Sequence, residues 1–224
     1  RGRGPSKVEG RLIDQLIQHS NIRPRISVGL VQELVQKLQR TADGYAPNDE
    51  DDLVDLVADR LLIPEPEWQT LLDAMHRDGA ELNLSSPTLL ERLFRWTRKG
   101  QGEALIIDLT NVERQMSVDA LSELMQLNGE PLTRTQREHL TKAISAERKE
   151  EDKGTGEDLA ARFGQFLQFY GPLPADFAGR VFGLDEGAQS EVLQELSDDG
   201  LIIFDALLEN DDGLQICDMQ NLER

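Results

Sequence analysis

Between Glu157 and Arg224 the spacing of apolar residues changes from a helical to a strand period, and no other feature constrains the fold more tightly. Two apolar helical stretches, Glu157 to Tyr170 and Pro174 to Phe182, lead through Gly183-Leu184-Asp185 into a third, Glu186 to Asp199. Asp199-Gly200 is a helix stop, because glycine accepts the left-handed conformation past a C-terminus. Leu201-Ile202-Ile203-Phe204 and Leu214-Gln215-Ile216-Cys217 then read as strands joined by a turn at Asn210-Asp211-Asp212-Gly213. Such a chain buries its apolar faces by laying a hairpin against a cluster of helices.

Three helices followed by a hairpin is the order of a winged helix, a fold commonly used for nucleic-acid recognition. The charge opposes that use. Residues 149–224 hold five Lys/Arg against eighteen Asp/Glu, out of a whole-chain net charge of −18. Duplex DNA carries about one negative charge per 1.7 Å of axis and would repel such a surface. The expectation is therefore an acidic winged helix that docks on protein. Residues 1–40 have the opposite sign, with eight Lys/Arg against three acids, which places any phosphate contact in the N-terminal half.

At 224 residues and 38% hydrophobic content the chain can fill real cores, aliphatic ones given only 5% aromatic residues. One cysteine, Cys217, excludes an intramolecular disulfide and a thiolate zinc site, and fits a reducing, cytoplasmic setting. No apolar run approaches the roughly 20 residues that span a bilayer, so no membrane partner is expected. The opening Arg1-Gly2-Arg3-Gly4-Pro5-Ser6 lacks an initiating Met and reads as a segment of a longer protein.

The first half is helical by period. Val8, Leu12, Leu16 and Ile17 mark one helix; Val28, Val31, Leu34, Val35 and Leu38 mark another beyond the extended Ile22-Arg23-Pro24-Arg25. Asn48 caps a third, with four acids in its first turn, carrying Leu53, Leu56, Val57 and Leu61. Pro66 begins a fourth with Trp68, Leu71, Leu72 and Met75 inward, and Ser86-Pro87 opens a fifth over Leu89 to Trp96. Ala104 to Leu109 is a strand without alternation, hence buried on both faces. Helices follow at Val118 to Gln126 and Arg134 to Glu147, the latter opened by a capping box of Thr133 and Gln136. Residues 148–156 contain no apolar side chain and read as a linker. The resulting fold class is mainly α with a small β component: a helical region over 1–147 with one short buried strand near 104–109, then a winged helix over 157–224. No repeat of fixed period stands out.

The run Leu167-Gln168-Phe169-Tyr170-Gly171-Pro172-Leu173-Pro174, with Val181-Phe182-Gly183-Leu184 and Val192-Leu193-Gln194-Glu195-Leu196, resembles the winged-helix region of large-helicase-related (Lhr-like) DEAD/DEAH-box ATP-dependent helicases. Ile216 to Arg224 is similar to the elements closing that region, and Leu61-Leu62-Ile63-Pro64-Glu65-Pro66-Glu67-Trp68 resembles a stretch of some members. The resemblance covers residues 157–224 well and 53–72 more weakly. It implies an accessory segment beside a motor that couples ATP hydrolysis to strand separation, in a setting such as DNA repair. ATP and Mg belong to the parent motor. This chain has no Gly-x-x-x-x-Gly-Lys-Ser/Thr loop, and Asp49-Glu50-Asp51-Asp52 follows no apolar strand, so no cofactor is expected in the segment itself. The implied partners are the motor domains of the parent chain and single-stranded nucleic acid.

For the strand contact the cationic candidates are Arg11, Arg23 and Arg25, with Arg92, Arg95 and Lys99 near one face of a helix beside Trp96 as a stacking surface. Their alternative is a solvated face paired with local acids such as Glu91. His19, His76 and His139 lie on different predicted helices and suggest no metal site. Some winged-helix proteins related to this helicase group excise bases with an acidic residue, for which Asp176, Asp185 and Asp205 are the positions to test. The competing class is a winged-helix assembly module that touches no nucleic acid.

Overall fold

A computed structural model describes residues 25–97, 104–115, 124–147, 157–209, 211 and 213–224, and several of its helices start at side-chain caps while two start at a proline. Helix α1 (Val28–Leu38) opens with the Ser27 side chain accepting from the Leu30 N–H. Helix α2 (Glu50–Arg60) is capped by Asp49, one residue beyond the expected Asn48, whose side chain instead donates to Asp52. Strand β1 (Leu62–Pro64) leads into α3 (Glu65–Arg77), with proline in its first turn. Ser86 caps α4 (Pro87–Arg92) through the Leu89 N–H. Strands β2 (Leu93–Thr97) and β3 (Ala104–Asp108), helix α5 (Leu109–Gln115), strand β4 (Leu124–Gln126) and α6 (Arg134–Glu147) follow. The capping box before α6 forms as expected: the Gln136 N–H donates to Thr133 Oγ1, and the Thr133 N–H donates back to Gln136 Oε1. The remaining elements are α7 (Glu157–Leu167), β5 (Leu173–Pro174), α8 (Ala175–Phe182), α9 (Glu186–Asp198), β6 (Ile202–Asp205), β7 (Gln215–Asp218) and α10 (Met219–Glu223). The protein is predominantly helical with a smaller β component.

Two expected helices prove to be strands in part. The helix beginning at Ser86 stops at Arg92, and Leu93 is already extended, at φ −107 and ψ 132. Helical period competes there with an aromatic-rich stretch whose Leu93, Phe94 and Trp96 are buried and whose Arg95 and Thr97 are half-buried. Pairing with β3 decides in favour of the strand. The segment ending at Gln126 is β4 over its last three residues, drawn onto the free edge of β2. The buried strand near 104–109 is present as β3, all five residues buried.

The two sheets repeat one topology. The first has the order β1-β3-β2-β4, the second β5-β7-β6, and every pairing between named strands is antiparallel. Ile63 opposite Ile106 matches Leu173 opposite Ile216, each residue displaced by 110 positions; Pro64 opposite Leu105 likewise matches Pro174 opposite Gln215. Leu93 opposite Asp108 matches Ile202 opposite Asp218. Helices α2, α3, α4 and α5 stand in the same order around β1, β2 and β3 as α7, α8, α9 and α10 do around β5, β6 and β7. The sequence carries a trace of this duplication: Ile106-Ile107-Asp108-Leu109-Thr110-Asn111-Val112-Glu113-Arg114 recurs as Ile216-Cys217-Asp218-Met219-Gln220-Asn221-Leu222-Glu223-Arg224. The chain is therefore an internal duplication although no repeat of fixed period stands out in it, because two copies sharing so few identities leave no periodic signal.

The shared asparagine has a structural cause. Asn111 Nδ2 donates to the carbonyls of Ala58 and Leu61, where α2 ends, and Asn221 Nδ2 donates to those of Gln168 and Tyr170, just beyond α7. Each asparagine donates to carbonyls at or just past a helix C-terminus, where the regular helical bonds run out. The two units share a core: Leu61, Leu62, Phe94 and Ile107 of the first belong to one apolar cluster with Phe163, Phe166 and Ile216 of the second. Helix α1, which precedes the first unit, lies on the second, where Val31 and Val35 crowd Gly171. Helix α6, which precedes the second unit, packs on α5 of the first. Residues 148–156 thus separate the units in sequence, while side chains from both sides of that segment fill one core.

Candidate nucleic-acid interface

The expected basic helix face is absent, because the chain bends between its members. Arg92 ends α4 and Arg95 lies on β2. Arg92 Nε donates to Asp108 Oδ2 at 3.0 Å, and Asp108 is fully buried at the end of β3. Arg95 holds Glu65 with two bonds, from Nε at 2.9 Å and Nη2 at 2.6 Å. This bidentate geometry is the strong form of the guanidinium–carboxylate pair, and the hydrogen bond to Glu65 raises the Arg95 pKa further. Trp96 is only 9% exposed and belongs to the core cluster, so it offers no stacking surface. Two of the predicted cations are therefore turned to internal acids that the sequence reading did not connect to them. The signal available was weak: Glu65 lies 30 residues from Arg95, and only the strand pairing brings them together.

Of the other predicted contacts, Arg25 lies beside the second unit, with Nη1 3.4 Å from the Asp211 carbonyl. Arg11, Arg23 and Lys99 fall outside the described residues, as do His19 and the predicted helix at Val8 to Ile17. His139 lines a cleft of about 380 Å³ with Arg92, Phe94, Leu109, Gln136 and Leu140. Among the described residues no group of three or more His, Cys, Asp or Glu could hold a metal ion.

The carboxylates considered for base excision have structural partners. Asp185 caps α9 through the Ala188 N–H, Asp176 pairs with Arg180 one turn on, and Asp205 accepts from the Ala206 N–H. Cys217 is buried on β7, as its apolar setting predicts, and burial aided by the Asp218 charge pushes its thiol up to about 12. Helix α9 carries Glu186, Glu191, Glu195 and Asp198 and no cation.

A polar cluster missed in the sequence joins the two units. Arg60 is wholly buried at the end of α2; its Nη2 bonds Glu67 and lies 3.0 Å from the Tyr170 hydroxyl. Tyr170 donates in turn to Glu67 at 2.8 Å, and the guanidinium carbon lies 5.6 Å and 5.9 Å from the ring centres of Tyr170 and Phe169. Burial, with the Glu67 charge adding and Arg60 opposing, raises the Tyr170 pKa well above its ordinary value, so the phenol stays protonated.

The fold and these sites define a class: a duplicated helix-and-sheet protein whose Arg92 and Arg95 pair with acids of the same chain and whose second unit exposes acid. Beyond that class, no protein-family model matches the chain, and no relative is found among curated proteins. Among the described residues no helix is long and apolar enough to cross a membrane.

Proposed function

We propose that this chain is a docking module made of two winged-helix units, set beside a motor of the Lhr-like helicase type and engaging it through the acidic second unit. The single observation that carries this reading is the fate of the cations. Arg92 and Arg95 face Asp108 and Glu65, while residues 157–224 present fifteen acids against three cations. A surface of that sign attracts a basic protein patch and repels a phosphate backbone. The helicase setting rests on the resemblance of residues 157–224 described above.

Direct contact with a single strand is the second reading. It is favoured by the Arg92 side chain, which keeps 42% of its surface exposed while bonded to Asp108. Fluorescence anisotropy of labelled single-stranded DNA and RNA, at low and physiological salt, separates the two. A docking module leaves the anisotropy flat at both salts. Salt-sensitive binding that disappears in Arg92→Glu and Arg95→Glu would overturn the docking reading in favour of strand contact.

A further inference from the structure

The duplication shows what covers one edge strand in the first unit and leaves its counterpart open in the second. Strand β2 has β3 on one side and β4 on the other, with Phe94 opposite Gln126, Arg95 opposite Met125 and Trp96 opposite Leu124. Strand β6 holds the position of β2, since Ile202 faces Asp218 as Leu93 faces Asp108. Among the described residues no strand pairs the outer edge of β6.

The groups on that edge can be identified. The Met219 N–H donates to the Leu201 carbonyl at 2.9 Å, so Leu201 and Met219 are a bonded pair. Bonded pairs alternate along an antiparallel ladder, so the next are Ile203 with Cys217 and Asp205 with Gln215. The N–H and C=O of Ile202 and Phe204 therefore point away from β7; Ile202 is only 4% exposed, so the accessible place on this edge is at Phe204, which stands where Arg95 meets Met125 on β2. Around them lie exposed apolar side chains, Leu201 at 49%, Phe204 at 44% and Leu214 at 58%. Asp205 on β6, with Glu209 and Asp211 after it, makes this end of the hairpin acidic.

We infer that the outer edge of β6 is a strand-addition site for a basic partner segment: an extended antiparallel peptide that takes the place β4 holds on β2. Main-chain bonds go to Phe204, an apolar side chain of the partner covers Phe204 and Leu214, and its Lys or Arg residues meet Asp205, Glu209 and Asp211. Backbone pairing supplies affinity and the side chains supply selection, as in other edge-addition complexes. Open edges are otherwise liabilities for uncontrolled pairing. The inference deepens the docking reading, on which it rests, by naming the surface and the partner's chemistry.

The test uses the full chain, labelled with ¹⁵N, and a blocked peptide alternating lysine and leucine over about seven residues. The expected result is binding at low salt with the largest amide shifts at Ile203, Phe204 and Asp205. Phe204→Ala keeps the edge N–H; Phe204→Pro removes it without breaking the bonds to β7, because that N–H points away from the sheet. Binding to Phe204→Pro should be about fivefold or more weaker than to Phe204→Ala, the worth of a main-chain hydrogen bond. A peptide methylated at its central backbone nitrogens leaves the protein unaltered and should bind as weakly, whatever Phe204→Pro does to stability. Equal binding of the methylated and unmethylated peptides would overturn strand addition while leaving acidic docking intact. Absence of binding at low salt, or shifts confined to the first unit, would also overturn it.

Discussion

At the scale of single residues, Arg60 is the largest fully buried side chain among the described residues, and a charged one. A guanidinium taken wholly out of water costs several kcal/mol, and Glu67, Tyr170 and two aromatic faces compensate it. Among the described residues its Nε and Nη1 have no hydrogen-bond partner, so compensation is concentrated on one nitrogen and the rings. Arg60→Ala leaves Glu67 next to a buried hydroxyl without its cation and should cost about 3–5 kcal/mol in urea unfolding. The triple variant Arg60→Leu, Glu67→Leu and Tyr170→Phe should recover most of that loss, because neither an uncompensated charge nor an unpaired buried hydroxyl remains. A triple variant as unstable as the single one would show that the cluster supplies packing rather than charge balance. Arg60 is recognisable in sequence only as the last residue of a helix, where a cation complements the dipole; its burial comes from Tyr170, 110 positions away.

At the scale of elements, close approach and local anchoring decide which segments stay docked. A Cβ on Gly171 would lie 2.8 Å from Val31 Cγ1 and 3.2 Å from Val35 Cγ2, so α1 sits against bare backbone. Gly171→Ala should cost about 1–3 kcal/mol through overpacking and raise amide exchange in α1 more than in α3. Unchanged exchange in α1 would mean that the helix is held elsewhere, for example by the Ile26–Leu208 bridge. The loop between α1 and α2 is pinned by Asp78, whose Oδ2 accepts from the Gly44 and Ala46 N–H groups at 2.9 and 3.2 Å. The Arg77 side-chain hydrogen bond, then those two backbone bonds, outweigh desolvation and lower the Asp78 pKa below its ordinary 3.8. A lowered carboxyl stabilises fully above its unfolded pKa and loses that contribution as pH falls through the folded value. The melting temperature of Asp78→Asn should therefore fall less than that of the wild type between about pH 5 and pH 3, and equal slopes would remove Asp78 from the acid transition.

At the scale of the whole molecule, the exchanged helices and the common core tie the units together. Phe163 and Phe166 of α7 lie in the cluster that includes Leu61 and Phe94, and the Gln165 side chain donates to the Asp59 carbonyl at 2.7 Å. Both tryptophans, Trp68 and Trp96, belong to the first unit. Asn221→Ala, which removes two bonds from the second unit, should nevertheless shift the tryptophan-detected urea midpoint, with a loss of about 1–3 kcal/mol for the unsatisfied carbonyls. A tryptophan transition unmoved by Asn221→Ala would mean that the units unfold independently.

Local chemistry alone determined a good part of this protein. Ser27, Ser86, Thr133 with Gln136 and Asp185 set helix starts because a cap needs only its own next residues. The buried strand at 104–108 was legible from its unbroken apolar run, and three helices and a closing hairpin between Glu157 and Asp218 from the change of period, while β5 at Leu173–Pro174 left no such signal. Tertiary structure decided the rest. Whether Leu93 to Thr97 continued a helix or became a strand depended on β3 and β4 lying beside it, and that choice sent Arg95 to Glu65 and Trp96 into the core. The placement of Arg60 between the units, and the open edge of β6, depended on pairings separated by some 110 residues or on a partner strand, distances over which one sequence holds no local preference.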